Sequence, residues 1–308
     1  MPEHRPSTES WREAYPFASH YLDLTEGRLH YVDEGPRDAP TLLFVHGNPT
    51  WSFHWRRMIT GLSDSFRCVA LDHLGCGLSD KPNRGFTLAD RIDHLGQLIE
   101  QLDLRRITLV AQDWGGAIGL GAMLDHQQRL DRVLLFNTGA WPPRRIPLRI
   151  AVCKTPLLGR LALQGMNLFS LAALRMTLSR RSRLDRSIDA GYLAPYNNWR
   201  NRRAVYGFVD DIPRGPNHPT WNTLYAIDSR LQELADKPIR LVWGMKDWCF
   251  DPECLDRFLE YWPSAEAFRI PDAGHWVVED AAEECLQRLS EFVLAPEHSE
   301  SSPVGAET

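Results

Sequence analysis

The stretch Ile107–Gly116, ITLVAQDWGG, decides how this chain is read. A short run rich in Ile, Leu and Val, with little alternation, has the pattern of a strand buried on both faces of a sheet. Gln112, Asp113 and Trp114 follow, then the paired glycines Gly115 and Gly116 and a helical pattern. Small residues are what a tight strand-to-helix turn needs, because any side chain there would meet the neighbouring backbone. An acid at the apex of such a turn faces the positive end of the helix dipole, which favours its ionised form. The plain alternative is that Asp113 only caps the helix.

Working outward, Thr41–Val45 (TLLFV), Cys68–Leu71 (CVAL), Val133–Phe136 (VLLF) and Ile239–Trp243 (IRLVW) repeat the pattern of short, near-continuous apolar runs. Helical patterns follow most of them, notably Leu88–Leu102 and Gly115–Leu124. Strands alternating with helices predict a parallel α/β sheet. Residues 19–24 and 28–33 alternate more clearly, and Glu26-Gly27 between them predicts an edge hairpin. The alternation lapses from about 140 to 225, where helix-like runs, prolines and arginines take over. This predicts a core over residues 1–139 and 226–296, an inserted helical cap over 140–225, and a disordered polar tail over 297–308.

The cap is unusual in charge. Ala140–Val209 holds 13 basic residues against Asp185 and Asp189, a net +11, whereas the whole chain is −5 and the remainder therefore about −16. Ile146–Leu178 interleaves these charges with Leu, Ile, Met and Phe. The plainer reading is a solvated face over an apolar pocket. The sharper one is contact with a membrane surface or an acidic protein.

Composition narrows the function classes. At 308 residues, 43% hydrophobic and 24% charged, the chain can bury a large core without disulfides or metal. Its negative charge argues against nucleic acid as the main partner. Cys68, Cys76, Cys153, Cys249, Cys254 and Cys285 form no CxxC pair, so a zinc or thioredoxin-like site is not expected and reduced thiols in a cytoplasm are. MPEHRPSTESWREAYPF lacks an apolar signal core, and no run reaches the roughly 18 apolar residues of a membrane span.

Four stretches carry chemistry. The strand–turn–helix at Asp113 is the context of a nucleophile elbow, with aspartate in the nucleophile's place. After the third strand comes Val45-His46-Gly47-Asn48-Pro49-Thr50-Trp51. In α/β-hydrolases the loop at this position gives one backbone N–H to an oxyanion and the residue after the nucleophile gives another, here Asn48 and Trp114. Both also carry side-chain N–H donors, which suit a leaving anion; alternatively Asn48 is a turn residue before Pro49. Pro271-Asp272-Ala273-Gly274-His275-Trp276 singles out His275 among 11 histidines by its late glycine-bearing loop. Trp243-Gly244-Met245-Lys246-Asp247-Trp248 offers Asp247 to orient that histidine, in the order nucleophile, acid, histidine. Asn137-Thr138-Gly139, after the preceding strand, has no carboxylate, and Asp251 and Asp272 are weaker rivals. Asp72–Pro82, DHLGCGLSDKP, reads as a structural GxGxSxxP turn, with Cys76 a small buried residue.

These residues resemble the haloalkane dehalogenases over roughly 20–140 and 225–295, through HGNPTW, QDWGG, GxGxSDKP and DAGHW. The resemblance implies an α/β-hydrolase fold: a mostly parallel eight-stranded sheet flanked by helices, with an inserted helical cap. Asp113, His275 and Asp247 with Asn48 and Trp114, and the cap segment Pro195–Pro213, are similar to the third subfamily. That group also holds β-lactone decarboxylases of olefin biosynthesis. What is implied is cofactor-independent and metal-free dehalogenation of a small apolar haloalkane. Asp113 would form an alkyl ester, and His275, oriented by Asp247, would activate water against it. The alternative is decarboxylation of a β-lactone by the same residues. A further alternative is epoxide hydrolysis, which needs a cap tyrosine among Tyr192, Tyr196, Tyr206 and Tyr225. A non-enzymatic binding protein would ordinarily have lost part of the triad. Oligomeric state is open.

Overall fold

The computed structural model describes residues 10–155, 157–179 and 184–295. The tail over 297–308 and Arg180, Arg181 and Arg183 lie outside the described residues.

Eight strands form one sheet: β1 (His20–Leu24), β2 (Gly27–Glu34), β3 (Thr41–Val45), β4 (Arg67–Leu71), β5 (Ile107–Asp113), β6 (Leu130–Thr138), β7 (Ile239–Gly244) and β8 (Glu266–Ile270). Their order is β1-β2-β4-β3-β5-β6-β7-β8. The pairs β1·β2 and β2·β4 are antiparallel and the other five are parallel. The continuous apolar runs follow from burial on both faces. Leu43, Val45, Val69, Leu109 and Val133 point into one core, while Leu42, Phe44, Cys68, Val110 and Leu134 point into the other. The edge hairpin is present with a shifted turn. Leu24 pairs with Gly27, so Thr25-Glu26 makes the two-residue connection and Gly27, at φ 146°, opens β2. Only a residue without Cβ adopts that backbone freely.

Helices cover both faces. α1 (Arg56–Leu62) and the C-terminal helix Ala282–Leu294 pack together on one. α2 (Leu88–Gln101), α3 (Trp114–Asp125) and Pro219–Arg230 pack together on the other. α2 starts at a capping box in which Thr87 N–H donates to Asp90 Oδ2 (2.7 Å) and Asp90 N–H returns a bond to Thr87 Oγ1 (3.3 Å).

Between β6 and β7 the chain leaves the sheet and forms Leu148–Cys153, Leu158–Arg160, Leu168–Met176, Arg186–Leu193 and Arg203–Asp210. These stand over the carboxyl ends of the central strands, the end of a parallel sheet where ligands bind. Residue 225 lies within Pro219–Arg230, which rests on α2 and α3.

Candidate active site

β5 ends at Asp113 and α3 begins at the next residue. Asp113 has φ 56° and ψ −133°, a backbone that L-residues rarely adopt and that costs about 1–3 kcal/mol. The turn is possible because its neighbours are bare: a Cβ on Gly115 would run into the Val45 carbonyl, and one on Gly47 into the Asp113 carboxylate. Asp113 occupies the N-cap position of α3, yet its side chain accepts no bond from the helix. The carboxylate turns away, and Oδ1 accepts from the Asn48 backbone N–H (2.7 Å). The capping alternative therefore fails, and a different function for this carboxylate is called for.

His275 and Asp247 come to the same place from separate loops. His275 Nδ1 lies 2.8 Å from Asp247 Oδ2, and His275 Nε2 lies 3.4 Å from Asp113 Oδ2. Asp247 is buried, and its other oxygen accepts from Cys249 N–H (2.7 Å). The imidazole stacks on Phe250 at 5.7 Å between ring centroids. Of the rival acids, Asp251 caps helix Pro252–Tyr261 and Asp272 is exposed. Asn137, at the end of β6, exchanges two bonds with the Gly244 backbone (2.8 and 3.0 Å) and so sews β6 to β7.

Burial alone would depress the His275 pKa, but the carboxylates of Asp247 and Asp113 outweigh it and raise the value to about 10. The ring is thus an imidazolium at neutral pH, held between two anions. Replacing Asp113 by asparagine removes one of those anions. An NMR titration of Asp113→Asn is expected to show His275 titrating well below its parent value. The linked stability has a definite sign. The folded pKa lies above the ~6.5 of an unfolded histidine, so the contribution is complete below about pH 6.5 and lost as pH rises through about 10. Between about pH 7 and 10, unfolding free energy falls less steeply for the variant than for the parent. Identical slopes and an unmoved titration would show that the two side chains are not coupled.

A cavity of about 1120 Å³ opens above Asp113, with Asn48, Trp114 and His275 in its floor. Its walls are largely apolar and include Ile150, Leu163, Phe169, Val209 and Leu224. Trp114 tilts against Phe208, 5.8 Å between centroids. The Asn48 amide is partly engaged: Nδ2 donates to the Val205 carbonyl of the cap (3.1 Å), and the buried Oδ1 has no partner. One amide hydrogen thus ties the loop after β3 to the cap, which leaves the second for the cavity.

Several positioning residues escaped the sequence reading. Gln112 hydrogen-bonds both His54 Nε2 and the His275 carbonyl, so the residue before Asp113 anchors the histidine loop. His54 continues to Tyr192 Oη (2.7 Å), whose hydroxyl donates to Glu279, itself paired with Arg56. Burial lowers the His54 pKa to about 4. Asp280 Oδ2 accepts from Gly274 N–H and Ser179 N–H (both 2.7 Å) and joins the same loop to the cap. The available signal was a polar Gln112 at the end of an otherwise apolar strand. Asp72 is structural, as expected: it accepts from Ser52 N–H (2.7 Å) and Leu78 N–H (2.8 Å) and pairs with His30 (2.9 Å). Cys76 is fully buried, which raises its thiol pKa and leaves it inert.

The α/β hydrolase fold family model matches residues 40–282, and the chain belongs to that family. Within it, the relatives narrow the class to enzymes of two kinds. The chain is 36% identical over 289 residues to cis-3-alkyl-4-alkyloxetan-2-one decarboxylase of Shewanella oneidensis, covering 92% of this chain and 90% of that one. It is 33% identical over 285 residues to haloalkane dehalogenase 2 of Mycobacterium tuberculosis, covering 91% and 96%. The tetrameric structure of haloalkane dehalogenase DpaA from Paraglaciecola agarilytica superposes with a TM-score of 0.78 at 25% identity, covering 92% and 98%. The fold expected from the motifs is thereby borne out, and both main functional readings have relatives.

Proposed function

We propose that Asp113 attacks a saturated carbon, displaces its leaving group and forms an aspartyl ester, and that the reaction is hydrolytic dehalogenation of a haloalkane. The observation that carries this reading is the Asp113 carboxylate itself. It is fixed by Asn48 N–H, refuses the helix cap, and faces an apolar cavity beside an imidazole held by a second carboxylate. A carboxylate suits this chemistry because its ester keeps a carbonyl for water to attack; a serine would be left as an ether. The second Asn48 amide hydrogen and the Trp114 indole N–H would receive the departing halide, and both residues line the cavity. Once Asp113 is esterified its charge is gone, so the His275 pKa falls, the imidazolium gives its Nε2 proton up to solvent, and the neutral ring then takes a proton from the attacking water. The new oxyanion is stabilised by backbone N–H groups of Asn48 and Trp114.

A second reading is favoured by the cavity. At about 1120 Å³ it exceeds the roughly 300–1,000 Å³ of ordinary ligand pockets. That volume suits a β-lactone bearing two alkyl chains, the substrate named for the Shewanella relative. Asp113 would attack the ring carbon that bears oxygen and free the carboxylate. Loss of carbon dioxide would then send its electron pair into the new double bond and expel Asp113. Epoxide hydrolysis loses its support. None of Tyr192, Tyr196, Tyr206 and Tyr225 lines the cavity. Tyr192 and Tyr196 are buried with their hydroxyls given to Glu279 and the Thr50 carbonyl, and Tyr225 is exposed.

The test is a panel of short and long bromoalkanes beside a cis-dialkyl β-lactone. Halide release is expected from the bromoalkanes. Alkene and carbon dioxide from the lactone, with no halide from any bromoalkane, would replace the first reading by the second. Turnover of neither would overturn both.

A further inference from the structure

We propose that the outer face of the cap, over residues 144–176, docks on an anionic lipid bilayer and opens the cavity toward the acyl chains. Nine of the 13 exposed large hydrophobic side chains among the described residues fall between Leu148 and Met176. They are no fringe of a core. Leu157 is 84% exposed, Leu148 78% and Leu158 69%, above a small buried cluster of Ile150, Leu163 and Val209. Apolar surface this concentrated marks a contact site, whereas scattered single residues need no explanation.

The charge around the patch selects the partner. Ala140–Ser179 contains six basic residues and no acidic one. Arg145 and Arg175 meet Asp251 (3.5 Å) and Asp189 (2.7 Å). Arg149 and Arg160 instead lie over the Trp248 and Trp199 rings, 5.0 and 5.6 Å from the centroids, and meet no acid among the described residues. Long apolar side chains bordered by arginines, with a half-exposed Trp199 beside them, are what an interfacial surface presents to acyl chains and anionic headgroups. A two-fold dimer through this face would oppose like charges. The cavity lining also carries Glu253, Asp256 and Glu260, which anionic lipid repels, so the molecule tilts cap-first. Among the described residues no helix is long and apolar enough to cross a membrane, so the contact is superficial.

The patch is also continuous with the cavity. Leu148, Val152, Leu158, Leu168 and Met176 are exposed and line it as well. An apolar molecule dissolved in the bilayer would therefore pass to Asp113 along a wall of hydrocarbon. The proposal does not depend on the chemistry at Asp113, because its readout is binding.

The experiment is flotation of the full chain with vesicles, either phosphatidylcholine alone or mixed with phosphatidylglycerol in equal parts. The parent is expected to float with the mixed vesicles at low salt, less at high salt, and little with phosphatidylcholine. Leu157→Ser/Leu161→Ser, at two positions outside the cavity lining, is expected to abolish flotation with an unchanged melting temperature. Arg160→Glu is expected to weaken it by roughly tenfold. A parent that stays in the dense fraction at low salt overturns the proposal, as do variants that float like the parent. A parent that self-associates through this patch without binding vesicles would assign the face to a second copy.

Discussion

Replacing Asp113 by alanine is expected to remove turnover of every substrate, by a factor on the order of 10⁴ or more, and to leave the fold in place. The size of the effect follows from the proposed role: without the carboxylate no covalent step occurs, and His275 has no ester to hydrolyse. The fold survives because the Asp113 side chain supports little else. It makes no capping bond to α3, so its loss does not uncap that helix. Its partners are Asn48 N–H and the His275 ring, which solvent in the cavity reaches once the carboxylate is gone. Alanine keeps the strain at φ 56°, whereas glycine relieves it. Asp113→Gly should therefore be equally inactive and more stable than Asp113→Ala by about 1 kcal/mol in urea unfolding. A stable Asp113→Ala protein that still turns over substrate would refute the aspartate as nucleophile.

The sequence carried the fold wherever a single segment held all the information. TLLFV is buried along its whole length and its bounds are legible, because a strand covered on both faces carries an almost unbroken apolar run. β6 runs longer than VLLF, from Leu130 to Thr138, since Asp131 and Arg132 at its start are only half-buried and broke the apolar pattern. β8, EAFRI, is a partly exposed edge strand and gave only a weak signal. The positions of Asp113 and Asp247 were legible for the same reason, each after a recognisable strand, whereas His275 was marked by its late glycine-bearing loop. What joins them was not. Gln112 reaches His275 across 163 residues, and Glu279 reaches Tyr192 across 87. No local pattern records such pairings, which arise only when the sheet brings loops together. Likewise the tyrosines of the cap looked available until packing buried two of them away from the cavity.

Replacing His275 by phenylalanine is expected to separate the two readings, because only one of them consumes water. In dehalogenation the variant still forms the ester. One equivalent of halide should appear, then nothing, and the intact protein should gain the mass of the alkyl group. The second step stops because no other base among the described residues lies beside Asp113: His54 is walled off by Gln112, and Asp247 loses its partner. Phenylalanine keeps the stacking on Phe250 and removes both ring nitrogens, so packing changes little. In β-lactone decarboxylation the ester breaks by expelling carbon dioxide, and no base is required. Turnover of a β-lactone would then persist in His275→Phe, reduced by whatever the imidazolium contributes to holding the freed carboxylate. Single turnover of the parent in oxygen-18 water supplies the independent check. Hydrolysis attacks the Asp113 carbonyl, so the label enters the Asp113 carboxylate while the alcohol keeps an aspartate oxygen. Decarboxylation leaves the enzyme unlabelled. Label in Asp113 together with a trapped alkyl adduct in His275→Phe fixes the hydrolytic route. Failure to trap an adduct while the parent still releases halide would mean that water attacks without His275, and the base would have to be sought elsewhere.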